Sequence, residues 1–220
     1  MTLGVRMVML GRQGAGKGTQ CVRLSRHYVV PHISTGDMLR AAVREGTDLG
    51  RKAAELMASG ELVPDDIMIG IVDERLDRDD TTQRGYILDG FPRTVDQAEA
   101  LAEITAARPL DVVVDLDVAK EVVLERLASR RVCDDCGSNY SVAKPPKYGW
   151  VCDNCGGDVV QREDDTPAAI EHRLAEYEAK TAPLISWYRE RGMLELVDGF
   201  GATDEVTARL FTSIDQRRAS

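Results

Sequence analysis

Apolar positions fall into two rhythms along the chain. Short β-branched runs at Val5 to Leu10, His32 to Ser34, Tyr86 to Asp89, Val112 to Leu116 and Leu194 to Asp198 predict strands. Between them apolar residues recur every three or four positions. That period predicts helices over Lys17 to His27, Gly36 to Arg44, Leu49 to Ser59, Asp65 to Asp77, Val95 to Ala106, Lys120 to Arg130, Pro167 to Arg189 and Asp204 to Arg217. Strands alternating with helices imply an α/β fold with a doubly wound, five-stranded parallel sheet. Two stretches depart from the alternation. Ser34 to Val63 is a helical insert between the second and third strands. Arg131 to Asp165 carries four cysteines, several Gly and Asn and the pair Pro145-Pro146 without a long apolar period, so it reads as a small separate insert.

Composition changes this picture in two places. With 220 residues, 43% hydrophobic and 30% charged, the chain has enough apolar surface for one cored domain with inserts, and it is neither disordered nor fibrous. A net charge of -9 argues against broad binding to nucleic acid or anionic membranes, which reward a basic face. Yet 22 of the 28 cations are Arg. Both a codon bias and a set of fixed grips on phosphate fit that excess. The apolar start, MTLGVRMVML, is far shorter than a spanning helix and has no small-residue cleavage site after it. The expectation is a cytoplasmic protein whose cysteines are reduced or metal-bound.

The first strand runs into GRQGAGKGT, where Gly11, Gly14, Gly16 and Gly18 surround Lys17 and a helical pattern follows. Strand, glycine-rich turn and helix start form the context a phosphate-cradling loop requires. Glycines let successive backbone N–H groups turn onto an anion, the helix start adds partial positive charge, and Lys17 can reach the outer phosphates. The general pattern has Ser or Thr after Gly-Lys; here Gly18 intervenes and the hydroxyl comes at Thr19. Asp89, at the end of a strand beside this loop, can hold magnesium through water or cap the next turn.

In the second insert, Cys133 and Cys136 form one CxxC pair and Cys152 and Cys155 another, each followed by Gly, at 137 and 156. This is the spacing of a four-thiolate zinc site with no open coordination position, which would fold the insert rather than catalyse. Two disulfides are the alternative, disfavoured in a reducing compartment. Cys21 has no partner in sequence and reads as a buried thiol.

The GxxGxGKGT loop, ISTGDMLR at Ile33 to Arg40 and YILDGFPRT at Tyr86 to Thr94 occur in order, together with LVPDDIM, QREDD and HRLAEYEAKTAPLI. Over nearly its whole length the chain therefore resembles adenylate kinases of the nucleoside monophosphate kinase family, in particular the long bacterial type with a zinc-bearing lid. The resemblance implies a three-layer P-loop core (1–33, 64–128, 166–220), an NMP-binding insert (34–63) and a lid (129–165). It also implies reversible, magnesium-dependent phosphoryl transfer from ATP to AMP, giving two ADP, by a monomer with structural zinc.

The same resemblance assigns residues. Gly14, Ala15, Gly16, Lys17, Gly18 and Thr19, with Arg130, Asn139, Tyr140 and Gly201, correspond to the ATP site. Thr35, Arg40, the backbone of Glu61, Leu62 and Val63, then Gly90, Phe91, Pro92, Arg93 and Gln97, with Arg162 and Arg173, correspond to the AMP site, and Gln97 to the adenine contact. Thr35 would also cap the helix starting at Gly36. Thr35, where UMP/CMP kinases usually have Ala, favours AMP. Lys17, Asp89, Arg93, Arg126, Arg130, Arg162 and Arg173 correspond to the catalytic set, with Arg126 and Arg130 expected on one helix face. Asp164 and Asp165 correspond to carboxylates that pair with arginines on lid closure. The chain departs from the family at Arg12 and Gln13, where small residues or Pro are usual, a change that bears on the stiffness of the loop.

Two other classes meet these residues less well. A zinc ribbon attached to an ATPase would bind nucleic acid or protein, but the insert is acidic, with Asp134, Asp135, Asp153, Asp158, Glu163, Asp164 and Asp165 against few cations. A GTPase switch conflicts with the displaced hydroxyl and with a second nucleotide's motifs. None of His27, His32 and His172 is needed as acid or base.

Overall fold

The computed structural model describes residues 4–59, 61–162 and 164–219. In chain order, β1 (Val5–Leu10), α1 (Lys17–Tyr28) and β2 (His32–Ser34) lead into the first insert, α2 (Thr35–Arg44) and α3 (Asp48–Ser59). The core resumes with α4 (Asp65–Leu76), α5 (Asp79–Arg84), β3 (Gly85–Asp89), α6 (Val95–Ile104), β4 (Val112–Asp117) and α7 (Lys120–Ser129). The second insert holds β5 (Arg130–Cys133), β6 (Asn139–Ser141) and β7 (Val159–Val160). The chain ends through α8 (Pro167–Glu176), a π-helical turn (Tyr177–Thr181), α9 (Pro183–Glu190), β8 (Leu194–Asp198) and α10 (Thr203–Ala219). The five expected strands pair in parallel in the order β2-β3-β1-β4-β8.

Period-two alternation along β1 divides the interior into two layers. Val5, Met7 and Met9 face α1 and α10, where Leu24, Leu210 and Ile214 are fully buried. Val8 and Leu10 face α4, α6 and α9, meeting Val72, Leu101 and Leu184. Each such side chain contributes about 1.5–3 kcal/mol by leaving water, so the sheet is a rigid platform. In β4 the alternation puts Val112, Val114 and Leu116 on the first face, and Val113 with Asp115 on the second. All five strands end on one edge, and the functional loops leave from there.

Three expectations are corrected. The single helix over Pro167 to Arg189 breaks at the π-helical turn, where Ala182 N–H donates to Tyr177 O at 2.8 Å; Pro183 has no N–H to continue an ordinary ladder. Arg130 has left the helix. Its extended backbone (φ -63°, ψ 140°) opens β5, so Arg126 and Arg130 do not share a helix face. Thr35 is not the cap: Ser34 accepts from Asp37 N–H, and Thr35 is the first helical residue. Helix α5 and the antiparallel sheet β6-β5-β7 had no periodic signal, because they are too short to show one. Glu163 of the QREDD run lies outside the described residues.

Candidate functional site

Between β1 and α1 the glycine loop turns under the start of the helix. Gly14, at φ 83°, sits so close to α7 that a Cβ would meet the side chains of Leu127 and Val123 at 2.9 Å; only glycine permits that approach. Arg126 on α7 donates to Ala15 O at 2.9 Å, tying helix to loop. Lys17 Nζ donates to Gly11 O at 2.7 Å and to Arg12 O at 3.1 Å, so its ammonium hangs across the loop. Desolvation in the cleft pushes its pKa below the usual lysine value, while the Asp89 charge opposes that shift.

The register that sets Ser34 beside Asp89 brings the first insert to the same strand ends. Burial alone would raise the Asp89 carboxyl, but the hydrogen bond from His32 and the charge of Lys17 hold it below the ordinary value. His32 Nε2 stands 3.4 Å from Asp89 Oδ2. The sequence reading found no acid or base role for His32, which lies 57 positions from Asp89, and only the β2–β3 pairing reveals them as neighbours. Thr35 Oγ1 donates to Gly90 O at 2.9 Å, and Arg93 Nε donates to the same carbonyl at 2.8 Å. Thr35, Phe91, Val63 and Gln97 are buried behind the cleft wall, and the exposed Glu61 bonds through its N–H to Leu56 O. Both ends of the Gln97 amide are engaged: it accepts from Arg93 N–H at 2.8 Å and donates to Asp65 Oδ1 at 2.7 Å. Asp65 also accepts from Thr94 Oγ1 at 2.6 Å. It is a supporting residue that the sequence did not mark.

The arginines reach the cleft from separate elements. Arg40 on α2 pairs with Asp37. Arg130 Nε donates to Asp165 Oδ2 at 2.8 Å, and Arg173 on α8 pairs with Asp164 at 2.6 Å. Arg162 keeps a buried Nε without a hydrogen-bond partner. Desolvation, reinforced by neighbouring arginines, lowers Arg93 and Arg162 to about 10 and Arg173 below its ordinary value. Cations crowded into a desolvating cleft repel one another until an anion joins them. The cleft, about 1580 Å³, is lined by Lys17 and these arginines. Gly14, Ala15, Gly16, Gly18 and Thr19 line it from the loop, Asp89, Gly90 and Pro92 from the end of β3, and Leu62 from the segment between α3 and α4. Asn139, Tyr140 and Gly201 line it on the side of the second insert and β8.

In the second insert the four thiols converge. Cys133 Sγ lies 3.4 Å from Cys155 Sγ and Cys136 Sγ lies 3.5 Å from Cys152 Sγ, and all four atoms fall within 4.8 Å of one another. None forms a disulfide. A tetrahedral ion with zinc–sulfur bonds of about 2.3 Å needs sulfurs roughly 3.8 Å apart, so the cluster fits zinc. Glycines 137 and 156, at φ 72° and 79°, close the two knuckles by donating to Cys133 O and Cys152 O. The Tyr140 hydroxyl approaches Cys152 Sγ at 3.4 Å and accepts from Asp153 N–H at 2.8 Å, so this residue, expected near the donor base, also supports the thiols.

The adenylate kinase family model matches residues 9–193. Curated proteins named adenylate kinase are similar over nearly the full length. That of Methanococcoides burtonii is 48% identical, covering 96% of this chain and 99% of its own. That of Geobacter sp. strain M21 is 49% identical at the same coverage. That of Moorella thermoacetica is 49% identical over 92% of this chain and 94% of its own.

Proposed function

Because the chain belongs to the adenylate kinase family, we propose that its cleft holds ATP on the phosphate loop and AMP between α2, the Gly90–Arg93 turn and the lid-side arginines. The reaction itself is reversible transfer of the γ-phosphoryl of ATP to AMP, giving two ADP. The observation that carries the residue assignment is the convergence of Lys17, Arg40, Arg93, Arg126, Arg130, Arg162 and Arg173 on one cleft.

The AMP phosphate has a second pKa of about 6, so its attacking oxygen is already an anion at pH 7. It forms a bond to the γ-phosphorus as the bond to the β–γ bridging oxygen breaks, and no proton moves. A general base is therefore superfluous, and the barrier is repulsion between two polyanions. Lys17 draws the γ-phosphoryl oxygens, and Arg93 and Arg173 hold the two phosphates in line, supplying fixed positive charge where negative charge shifts. Arg40 fixes the α-phosphate of AMP, and Arg126, Arg130 and Arg162 close the cleft against water. Asp89 is the carboxylate that would hold magnesium, through water. Magnesium arriving with ATP neutralises phosphate charge. For AMP to reach Gln97, one of the amide's present bonds must be exchanged for a bond to the base.

The chain divides on this reading into the core, an NMP-binding insert over 34–63 and a lid over 129–165. Cys133, Cys136, Cys152 and Cys155 would hold zinc, which supplies a crosslink rather than chemistry. Among the described residues no helix is long and apolar enough to cross a membrane. We place the enzyme in the cytoplasm as a monomer acting on free nucleotides, not nucleic acid, in keeping with its charge of -9.

The test is ADP formation from MgATP against a panel of nucleoside monophosphates. AMP is expected to be preferred at least about tenfold in kcat/KM, a difference of about 1.4 kcal/mol. ATP turnover at equal rate without any acceptor would overturn the reading.

A further inference from the structure

Arg12 stands where relatives of this loop usually carry a small residue, and nothing in the phosphate chemistry calls for it. Its side chain turns away from the phosphates. Nε donates to Glu178 Oε1 at 2.9 Å, and Nη1 donates to Val118 O at 3.3 Å and to Asp117 Oδ1 at 3.5 Å. The guanidinium lies over the Tyr177 ring, 5.6 Å from its centre. Four partners thus hold one planar cation. Asp117 ends β4 and Val118 follows it; the other two, Tyr177 and Glu178, open the π-helical turn that follows α8.

The backbone of Arg12 is engaged as well. Its carbonyl accepts from Lys17 Nζ at 3.1 Å and from Ala15 N–H at 3.1 Å. The far end of the same π-helical turn reaches the acceptor side, where Thr181 Oγ1 donates to Arg93 O at 3.0 Å. The turn therefore touches Lys17 through Arg12 and touches Arg93 directly. It sits at the end of the helix that carries Arg173. A π-turn interrupts a helix at the cost of its regular ladder and is kept where its shape is used.

We propose that Arg12 is a positioning residue: it braces the phosphate loop against the π-helical turn, so that Lys17 and the lid-side helix bearing Arg173 keep one relative placement. Arg12 touches no substrate. It acts through the loop carbonyl that holds the lysine and through Glu178. This rests on assigning the loop and Lys17 to the donor triphosphate. The two readings fail differently: if that assignment were wrong, Lys17→Ala would stay active, whereas if only the brace were wrong, Lys17→Ala would be inactive and Arg12→Ala normal.

The experiment is steady-state kinetics of Arg12→Ala, Glu178→Ala and the double variant, with ATP and AMP varied separately, at a temperature where circular dichroism shows each fully folded. Glu178 is partly exposed, so its truncation keeps the test open should Arg12→Ala fold poorly. For Arg12→Ala the KM for ATP should rise about tenfold and kcat fall about fivefold, and the KM for AMP, whose site shares Arg173, should rise by a smaller factor of about three. Glu178→Ala should show a smaller change of the same kind, and the double variant should resemble Arg12→Ala, because the two residues serve one contact. A merely structural role would reduce the active fraction, lowering kcat while both KM values stayed put. That outcome, additive effects in the double variant, equal rises in both KM values, or wild-type kinetics for Arg12→Ala would overturn the proposal.

Discussion

The core and the lid reach rigidity by opposite means. Around the sheet, order comes from two layers of fully buried aliphatic side chains, and one buried carboxyl among them, Asp115, keeps an oxygen without a hydrogen-bond partner. In the lid the buried cluster among the described residues is small: Cys133, Cys152 and Val159, with Tyr140 against them. Two of its carboxylates are paired instead: Asp165, fully buried, meets Arg130, and Asp164 meets Arg173. So small a segment cannot bury enough apolar surface to hold itself together, and a cluster of four cysteines and ion pairs take over. What this teaches is a division of labour. The apolar core fixes Lys17 and Asp89, while the second insert is held by ion pairs that, on the proposed reading, are exchanged for substrate phosphates.

The largest effect that tests this contrast is on chemistry in the core. Lys17→Ala should lower kcat/KM by at least about a thousandfold, roughly 4 kcal/mol, with a melting temperature close to that of the wild type. Near-normal turnover would remove Lys17 from the site. Next is the lid's crosslink. A zinc chelator, or Cys136→Ser, should cost about 3 kcal/mol and 6–10 °C in melting temperature, and amide exchange should speed up in β5 to β7 first. Uniform loosening of the sheet would contradict the contrast. Purified protein should carry about one zinc per chain.

A third test concerns the core's unpaired acid. Burial, with Asp117 adding repulsion, raises the Asp115 pKa from 3.8 to about 6. The folded chain therefore keeps the proton to higher pH than the unfolded one. The favourable contribution is complete below about pH 4 and disappears as pH climbs through about 6. Asp115→Asn should gain roughly 2–3 kcal/mol at pH 8 and almost nothing at pH 4, read from melts at the two values. The reverse trend would place a partner on that oxygen. Smallest is the lid's ion pair. Asp165→Asn leaves Arg130 without its carboxylate and should cost about 1–2 kcal/mol of lid stability. Lid amide exchange should quicken about tenfold, and no change would show the pair to be idle.

Strand positions and the phosphate loop were legible because each is written in a local signal: a β-branched run, or glycines around a lysine before a helix. The cysteine spacing was legible for the same reason, since a CxxC knuckle closes within a few residues. Helix boundaries were legible to within a residue or two, except where a proline forced a π-helical turn and where Arg130 turned into a strand. The lid sheet escaped notice because strands of two to four residues have no period to detect.

By itself, then, the sequence determined the α/β alternation, the loop that faces phosphate, the metal-ready cysteines and the family to which they belong. All of these depend on residues near one another in the chain. Only the tertiary structure decided that His32 stands beside Asp89, that Asp65 engages Gln97, that Asp115 is left without a partner, and that Arg12 crosses to Glu178. Those pairs lie from 32 to 166 positions apart. They depend on strand order and helix packing, which follow from burying the two apolar layers as a whole and not from any local pattern.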